Sequence, residues 1–275
     1  MKPGTSIIAT SPACHDGDHG ATVECMNDET LCEVLDEAAT AIRAALGGLD
    51  DWGLAGTRQG QYLSDLAADA AALDVFERAG LGVLSEESGR HRPGSEITVV
   101  LDPLDGSTNA SRGIPWYATS LCAVDADGPR ASLVINLASG DRFDAVRGGG
   151  SFCNGERLTP SGSTELRESL IALSGFPGKW LGWNQFRALG ACALDLCAVA
   201  AGVVDGYLDC SWNAHGSWDY LGGMLVCTEA GALIVDAEGR DLVTFEHDDR
   251  RTPVAAATPA LLAELVDARL SIARP

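Results

Sequence analysis

An apolar run at residues 97–101 leads directly into the sequence Asp-Pro-Leu-Asp-Gly. The proline fixes one φ angle and the glycine permits a sharp reversal, so this pattern predicts a strand that ends in a tight turn. In such a turn the side chains of Asp102 and Asp105 can point into one space, with the Leu104 carbonyl between them. Two carboxylates about 4 Å apart repel by roughly 4 kcal/mol at an effective dielectric of about 20, so a cation or a shared proton must relieve the repulsion.

The ligand chemistry of this turn favours a hard cation. It offers carboxylate and carbonyl oxygens, which Mg²⁺ prefers, and none of the sulfur or imidazole groups that zinc favours. We therefore interpret it as a metal site rather than a proton-sharing dyad, although the same residue types also make an ordinary turn. Two further acidic segments support the metal: Glu86 and Glu87 follow a strand-like run at residues 82–85, and Asp219 opens a helix. Acidic residues at the ends of separate elements can converge on one site.

The chain of 275 residues is long enough to bury the core of one large layered unit. Residues 1–27 lack an apolar period, and we interpret them as a flexible arm. We interpret residues 28–275 as a single unit with sub-domains at 28–160 and 161–275. A helix is predicted over 61–79, with Leu63, Leu66 and Phe76 on its apolar stripe and Gly80 ending it.

Strand-like runs dominate the first half after this helix, and strands alternate with helices in the second half. The predicted strands of the first half lie at 82–85, 97–101, 117–124, 131–137 and 142–146. The elements predicted in the second half lie at 169–173, 193–201, 206–210, 218–230, 233–236 and 253–257, before a final helix. This order predicts an α/β (α+β) fold with helices and sheets in layers.

The formal net charge of −20 limits the partners of this protein. It repels nucleic acid and anionic membranes, and no cluster of Lys and Arg offsets that repulsion, so we expect neither as a partner. The N-terminus has no basic segment followed by an apolar run, and no apolar stretch is long enough to span a bilayer, so we expect a cytoplasmic protein. An acidic protein that acts on an anionic substrate needs local positive charge, which a divalent cation supplies.

Taken together and in this order, the segments at residues 85–89, 102–109 and 218–223 resemble the motifs of the inositol monophosphatase family. This family belongs to the lithium-sensitive, magnesium-dependent phosphatases, which include fructose-1,6-bisphosphatase. The resemblance runs from about residue 66 to the C-terminus. It implies a layered α-β-α-β-α sandwich, two or three Mg²⁺ ions, lithium sensitivity, a homodimer and a small-molecule phosphate ester as substrate.

The resemblance also assigns roles to individual residues. The implied metal ligands are Glu86, Asp102, the Leu104 carbonyl, Asp105, Asp219 and Asp69. The implied catalytic residues, which orient and activate the attacking water, are Ser107, Asp69 and Glu86. The phosphate oxygens are expected on the backbone amides of Gly106, Ser107 and Thr108.

One position departs from the family pattern. The family carries a threonine three residues before the aspartate that corresponds to Asp69, and this chain has Leu66 there. Asp69 is still expected to partner Ser107, but without the hydroxyl that normally assists it. Asp65, one helical turn earlier, is an alternative source of the missing oxygen.

The expected substrate pocket lies in the second half of the chain. The segment at residues 187–196 resembles the part of the family whose backbone lines the pocket, which implies contacts from Gly190, Ala191 and Cys192. Asp209 matches the acidic residue that binds substrate hydroxyls in inositol-cleaving members. The link that follows it is longer than usual in the family and contains His215, which we interpret as a surface-loop residue rather than as a general acid.

The leading hypothesis is hydrolysis of inositol monophosphate by metal-activated water. Histidinol phosphate, fructose 1,6-bisphosphate and 3′-phosphoadenosine 5′-phosphate are alternative substrates, because the motifs report the reaction and not the alcohol. A different class of function, an inactive metal-binding regulatory relative, is suggested by Leu66. A dinucleotide-binding enzyme is excluded, because no GxGxxG sequence follows a strand and no Walker loop is present.

Overall fold

The computed structural model describes residues 26–56 and 61–273, which begin with two helices. Helix α1 (Asp28–Gly47) starts where Asn27 Oδ1 accepts a hydrogen bond of 2.8 Å from the Thr30 amide. Helix α2 (Leu63–Arg78) is followed by Gly80 at φ +74°, so the predicted helix end is confirmed. The predicted arm, residues 1–27, lies outside the described residues except for its last two.

The predicted apolar stripe of α2 is confirmed at Phe76 but is wrong at Leu63 and Leu66. Leu63 and Leu66 are only half-buried, and the buried face carries Ala68, Ala72, Val75 and Phe76 together with Asp65 and Asp69. Small side chains on this face bring the helix close to the sheet beneath it, and the two aspartates share that face. The burial of two acidic residues instead of leucines shows that this helix faces a polar site as well as a core.

The first sheet has eight strands in the order β2-β1-β3-β4-β5-β6-β7-β8. Strands β1 and β3 are parallel, and every other neighbouring pair in the sheet is antiparallel. The strands are β1 (Gly82–Ser85), β2 (Gly89–His91), β3 (Thr98–Asp105), β4 (Ala118–Asp125), β5 (Gly128–Asn136), β6 (Arg142–Val146), β7 (Gly150–Cys153) and β8 (Glu156–Arg157), with the short helix α3 (Ser107–Arg112) after β3.

Both faces of the first sheet are buried. Leu121 and Leu133 pack in the core shared with α1 and α2, whereas Cys122 and Val134 belong to the core on the opposite face. This alternation follows from the period of two in a strand. The sheet is therefore the second layer of the molecule, with α1 and α2 as the first.

The second sheet has five strands in the order β10-β9-β11-β13-β12. Strands β10, β9 and β11 run parallel, and β13 joins them antiparallel. The elements of this half are β9 (Leu170–Ser174), β10 (Gln185–Arg187), α4 (Cys192–Ala200), β11 (Gly206–Asp209), α5 (Ser217–Ala230), β12 (Leu233–Asp236), β13 (Pro253–Ala256) and α6 (Pro259–Leu270).

Helices α4 and α5 lie between the two sheets, and α6 covers the outer face of the second sheet. The resulting layers are helix, sheet, helix, sheet and helix, which confirms the predicted sandwich. Helix α5 touches both of its neighbours through adjacent glycines. A methyl group on Gly222 would lie 2.5 Å from Ser120 Oγ in β4, and one on Gly223 would lie 2.7 Å from the Leu196 Cβ in α4.

The strand before the acidic turn differs from the prediction. Strand β3 continues to Asp105, and the register with β4 shifts between Asp102 and Asp105. The predicted reversal is thus an irregularity within a paired strand, and the chain leaves the sheet only at Gly106. No helix among the described residues has the length and apolar character needed to cross a membrane.

Candidate active site

Three carboxylates from three elements form an acidic cluster. Glu86 follows β1, Asp102 lies in β3 and Asp219 lies in the first turn of α5. One carboxylate oxygen from each lies within 4.8 Å of the other two. Parallel pairing of β1 with β3 brings the first two together, and the Glu86 amide donates a 3.1 Å hydrogen bond to the Leu101 carbonyl. Asp102 is buried, whereas the other two are partly exposed, so the cluster opens to solvent.

The electrostatics of the cluster favour a cation. Burial raises the pKa of Glu86 well above its ordinary value, and the charge of Asp219 raises it further. Burial and then the charge of Glu86 do the same to the pKa of Asp102. Three like charges in a partly desolvated space, offering oxygen ligands alone, fit a divalent ion such as Mg²⁺.

Asp105 lies beside this cluster but bonds in another direction. Its Oδ2 accepts a 2.7 Å hydrogen bond from the Ala193 amide in the first turn of α4. Burial, followed by the charge of Asp219, raises the pKa of Asp105 to about 7. The Leu104 amide donates to Asp102 Oδ1 over 2.9 Å. The predicted turn therefore places its two aspartates in different roles, one in the cluster and one against a helix N-terminus.

The expected phosphate and pocket segments meet at Gly106. This residue has φ +83°, and a methyl group on it would lie 3.1 Å from the Gly190 carbonyl and 3.2 Å from the Ala191 Cβ. Asn109 in α3 fixes the contact, because its side-chain amide donates to the Leu189 carbonyl over 2.7 Å. The backbone around residues 106–108 and residues 190–192 thus forms one wall of the site.

Ser107 and Thr108 open helix α3, which has only six residues. Ser107 is half-buried, and Thr108 is exposed. The Thr108 hydroxyl lies 3.2 Å from the hydroxyl of Tyr62, the residue that precedes α2. The start of α3 is therefore held to the start of α2 at the rim of the site.

Asp69 is buried, and its hydrogen-bond partner differs from the prediction. Among the described residues, its carboxylate accepts a hydrogen bond from the Ser85 hydroxyl at the end of β1 and none from Ser107. Asp65 closes the first turn of α2, since its Oδ2 accepts from the Tyr62 amide over 2.9 Å. The charge of Asp65 also contributes to the raised pKa of Glu86, so both aspartates of α2 lie near the cluster.

Asp209 lies at the end of β11 with no exposed surface. Its Oδ1 accepts a 2.8 Å hydrogen bond from the Ser211 amide, and its Oδ2 has no hydrogen-bond partner in the described part of the chain. The buried guanidinium of Arg269 bonds the Asp209 carbonyl and lies 4.1 Å from the Trp212 ring, which fixes the long link. The arrangement does not offer the predicted contact of Asp209 with substrate hydroxyls, because its carboxylate is enclosed.

The interpretation of His215 as a surface residue is wrong. Only 11% of its side chain is exposed, and it lies between two aspartates. Its Nδ1 is 3.4 Å from Asp219 Oδ2, and its Nε2 is 3.6 Å from Asp209 Oδ1. Burial opposes the charged imidazolium, but the hydrogen bond with Asp219 and the nearby carboxylate charges outweigh it and raise the pKa to about 9. The sequence placed this residue in a loop, and loop position alone did not indicate its burial.

Sequence reasoning also missed His247. Its Nε2 donates a 3.0 Å hydrogen bond to the Glu86 carbonyl, and its ring lies 4.8 Å from the ring of Trp218. The Arg250 guanidinium lies 5.1 Å from the same Trp218 ring. These contacts hold both Glu86 and the residue before Asp219. No motif marks residues 244–251, so only the folded chain reveals this support.

Comparison with known proteins places the chain in a family. The family model described as the inositol monophosphatase family matches residues 65–272. The chain is 34% identical over 203 residues to a fructose-1,6-bisphosphatase of Pyrococcus furiosus, covering 73% of this chain and 80% of that protein. It is 30% identical over 253 residues to a fructose-1,6-bisphosphatase/inositol-1-monophosphatase of Archaeoglobus fulgidus, covering 88% and 99%.

A solved structure agrees with this assignment. It is a hypothetical protein, PH1897, from Pyrococcus horikoshii with similarities for inositol-1 monophosphatase. The TM-score is 0.76 at 27% identity, with 87% of this chain and 96% of that chain covered. The family match includes Asp65 and Asp69 of α2, all three carboxylates of the cluster and both sheets. The protein belongs to the inositol monophosphatase family.

Proposed function

We propose that this protein is a Mg²⁺-dependent phosphatase that hydrolyses the phosphate monoester of a small polyol, with inositol monophosphate as the leading substrate. The observation that carries the proposal is the convergence of Glu86, Asp102 and Asp219 within 4.8 Å. Membership of a phosphatase family supports the reaction class. The relatives carry the names of two activities, so fructose 1,6-bisphosphate is the second candidate substrate.

In this proposal the chain supplies the ligands and the walls. Glu86, Asp102 and Asp219 hold the cation, and Asp105 fixes the start of α4 beside it. When bound, Mg²⁺ supplies positive charge that offsets the phosphate and the departing alkoxide. The Ser107 hydroxyl orients the attacking water, and the amides of residues 106–108 donate to phosphate oxygens.

The pocket wall for the alcohol is the segment at Gly190, Ala191 and Cys192. This segment lies against Gly106, so an ester whose phosphate rests on the start of α3 presents its alcohol to α4. Asp69 acts through Ser85, the last residue of β1 and the one before Glu86, because the side chains of Asp69 and Ser85 are hydrogen-bonded.

Phosphate release from a panel of esters tests the proposal. The panel holds inositol monophosphates, fructose 1,6-bisphosphate, histidinol phosphate and 3′-phosphoadenosine 5′-phosphate, each with Mg²⁺ and with EDTA. We expect Mg²⁺-dependent release, with an inositol monophosphate as the best substrate. The Asp102→Asn variant should lose turnover and Mg²⁺-linked thermal stabilisation together, whereas Asp127→Asn, on the exposed turn between β4 and β5, should keep both.

Other outcomes assign the protein differently. Release from fructose 1,6-bisphosphate alone would replace the leading substrate with the second candidate. Mg²⁺ binding without release from any ester would contradict the enzyme and favour a metal-binding regulatory relative. Full activity of Asp102→Asn at saturating Mg²⁺ would contradict the assignment of the cluster.

A further inference from the structure

We infer that His215 is a positioning residue that ties the acidic cluster to the carboxyl ends of β9 and β11, so that one side chain sets both metal affinity and pocket shape. The effect on the substrate pocket rests on the proposed function. The effect on metal affinity rests only on the contact of His215 with Asp219. It concerns a residue in the link between β11 and α5.

The Nδ1 side of the imidazole holds Asp219. Nδ1 lies 3.4 Å from Asp219 Oδ2, and the Gly216 amide donates to the same oxygen over 2.7 Å. Two donors therefore converge on one carboxylate oxygen. The carboxylate held in this way is one of the three in the acidic cluster. Hydrogen bonds to a ligating carboxylate orient it for the metal.

The Nε2 side holds the second sheet. Nε2 lies 3.0 Å from the Tyr207 hydroxyl in β11 and 3.2 Å from the Ser174 hydroxyl at the end of β9. These strands are parallel, and Ser174 is paired with Asp209, whose Oδ1 lies 3.6 Å from Nε2. In open sheets of this kind, ligands bind at the carboxyl ends of the parallel strands.

The backbone of His215 is fixed as well. Its carbonyl accepts a 2.9 Å hydrogen bond from the Arg251 amide, and the two residues form an isolated bridge. The ring cannot turn without breaking contacts at both nitrogens. A displacement of the strand ends is thus transmitted through one rigid ring to Asp219.

Two amide substitutions separate the two sides of the ring. The side-chain nitrogen of asparagine can occupy the position of Nδ1, and that of glutamine can occupy the position of Nε2, each as a donor. His215→Asn therefore keeps a donor toward Asp219 and loses the contacts with the strands. His215→Gln keeps the contacts with the strands and loses the donor toward Asp219.

The test measures Mg²⁺ binding by calorimetry and KM by steady-state kinetics on the full chain. We expect His215→Gln to weaken Mg²⁺ binding about tenfold with little change in KM. We expect His215→Asn to bind Mg²⁺ like the parent and to raise KM about fivefold, the effect of one lost hydrogen bond. His91→Gln, which removes a ring bonded to Ser88, is the matched control and should change neither quantity.

Tyr207→Phe gives a second arm that leaves the histidine in place. It removes one partner of Nε2 and should raise KM without changing the Mg²⁺ affinity. Unchanged Mg²⁺ affinity in His215→Gln overturns the inference. An equal loss of Mg²⁺ affinity in both His215 variants, in proportion to their loss of stability in EDTA, also overturns it. Calorimetry needs no turnover, so failure of the proposed phosphatase activity is seen separately in the ester panel.

Discussion

The hydroxyl of Ser85 is completely buried at the end of β1 and connects three groups. It donates to the Asp69 carboxylate and accepts from the Glu87 amide over 3.0 Å. The Ser88 amide approaches the same oxygen at 3.4 Å. One side chain thus fixes both the helix that carries Asp69 and the backbone that follows Glu86.

Replacing Ser85 with alanine should destabilise the protein by about 1–3 kcal/mol, because a buried carboxylate and a backbone amide lose their partner. Denaturant unfolding measures the change. Ser64→Ala is the matched control, since its hydroxyl is equally buried and has no hydrogen-bond partner among residues 26–56 and 61–273. Its stability should remain within about 0.5 kcal/mol of the parent. Equal losses in the two variants would contradict the role given to Ser85.

At the residue scale the sequence indicated the acidic cluster, but not the hydrogen-bond partners that hold the residues around it. Glu86, Asp102 and Asp219 were predictable because each acid follows or opens an element whose type the local pattern reveals. Asp105 was predicted as a metal ligand beside Asp102, but its hydrogen bond with the Ala193 amide of α4 depends on a segment 88 residues away. The partners of Asp69 and His215 likewise depend on the packing of distant elements, which no local pattern reports.

Helix α5 is the element that joins the layers. Gly222 faces the first sheet, and Gly223 faces α4, where a methyl group would lie 2.9 Å from the Ala193 carbonyl. Side chains larger than hydrogen would separate these layers. Asp219 lies in the first turn of α5, so the packing of this helix between the layers also determines where the third carboxylate of the cluster lies.

Gly223→Ala should therefore destabilise the protein by about 1–3 kcal/mol, because the backbone of α4 must move to accept the methyl group. Gly47→Ala, at the end of α1, is the matched control: nothing lies within 4 Å of its added methyl group. Alanine there should be neutral or stabilising by up to about 1 kcal/mol. Thermal and denaturant unfolding of both variants give the comparison, and an unchanged midpoint for Gly223→Ala would contradict the close packing.

Elements with a clear hydrophobic period were predictable from the sequence. Short strands that exist only through pairing with a neighbouring strand were not. The strands at residues 82–85, 142–146 and 233–236 match the prediction to the residue. The short strands β2, β8 and β10 are at most half-buried and contain one apolar side chain among them, Phe186, so they lack a hydrophobic pattern that could identify them. The buried face of α2 was mispredicted because it carries Asp65 and Asp69, and a pattern of apolar residues does not identify a face that buries aspartates.

The whole molecule combines a net charge of −20 with a cluster of partly buried acids. Without a cation, the raised pKa values of Glu86 and Asp102, and that of Asp105 at about 7, mean that the folded protein binds more protons than the unfolded chain near neutral pH. Its stability must then rise as the pH falls through this range. The raised pKa of His215, about 9, acts in the same direction, because its contribution is lost as the pH rises.

In EDTA, the free energy of unfolding should therefore increase as the pH is lowered from about 8 to about 5. Mg²⁺ should flatten this dependence, since it neutralises the carboxylates that otherwise take up protons. The stabilisation by Mg²⁺ should then be larger at the upper end of the range than at the lower. Denaturant unfolding at fixed ionic strength measures it, and metal-free stability that increases between pH 5 and pH 8 would contradict the prediction.

The cluster draws its carboxylates from positions 86, 102 and 219, and this spacing has a consequence for synthesis of the chain. A nascent chain that has emerged as far as residue 157 contains every strand of the first sheet but only two of the three carboxylates. The third arrives with α5, whose glycines seat it between that sheet and α4. The cation site therefore cannot be complete until α5 has emerged, well after the segments that carry Glu86 and Asp102.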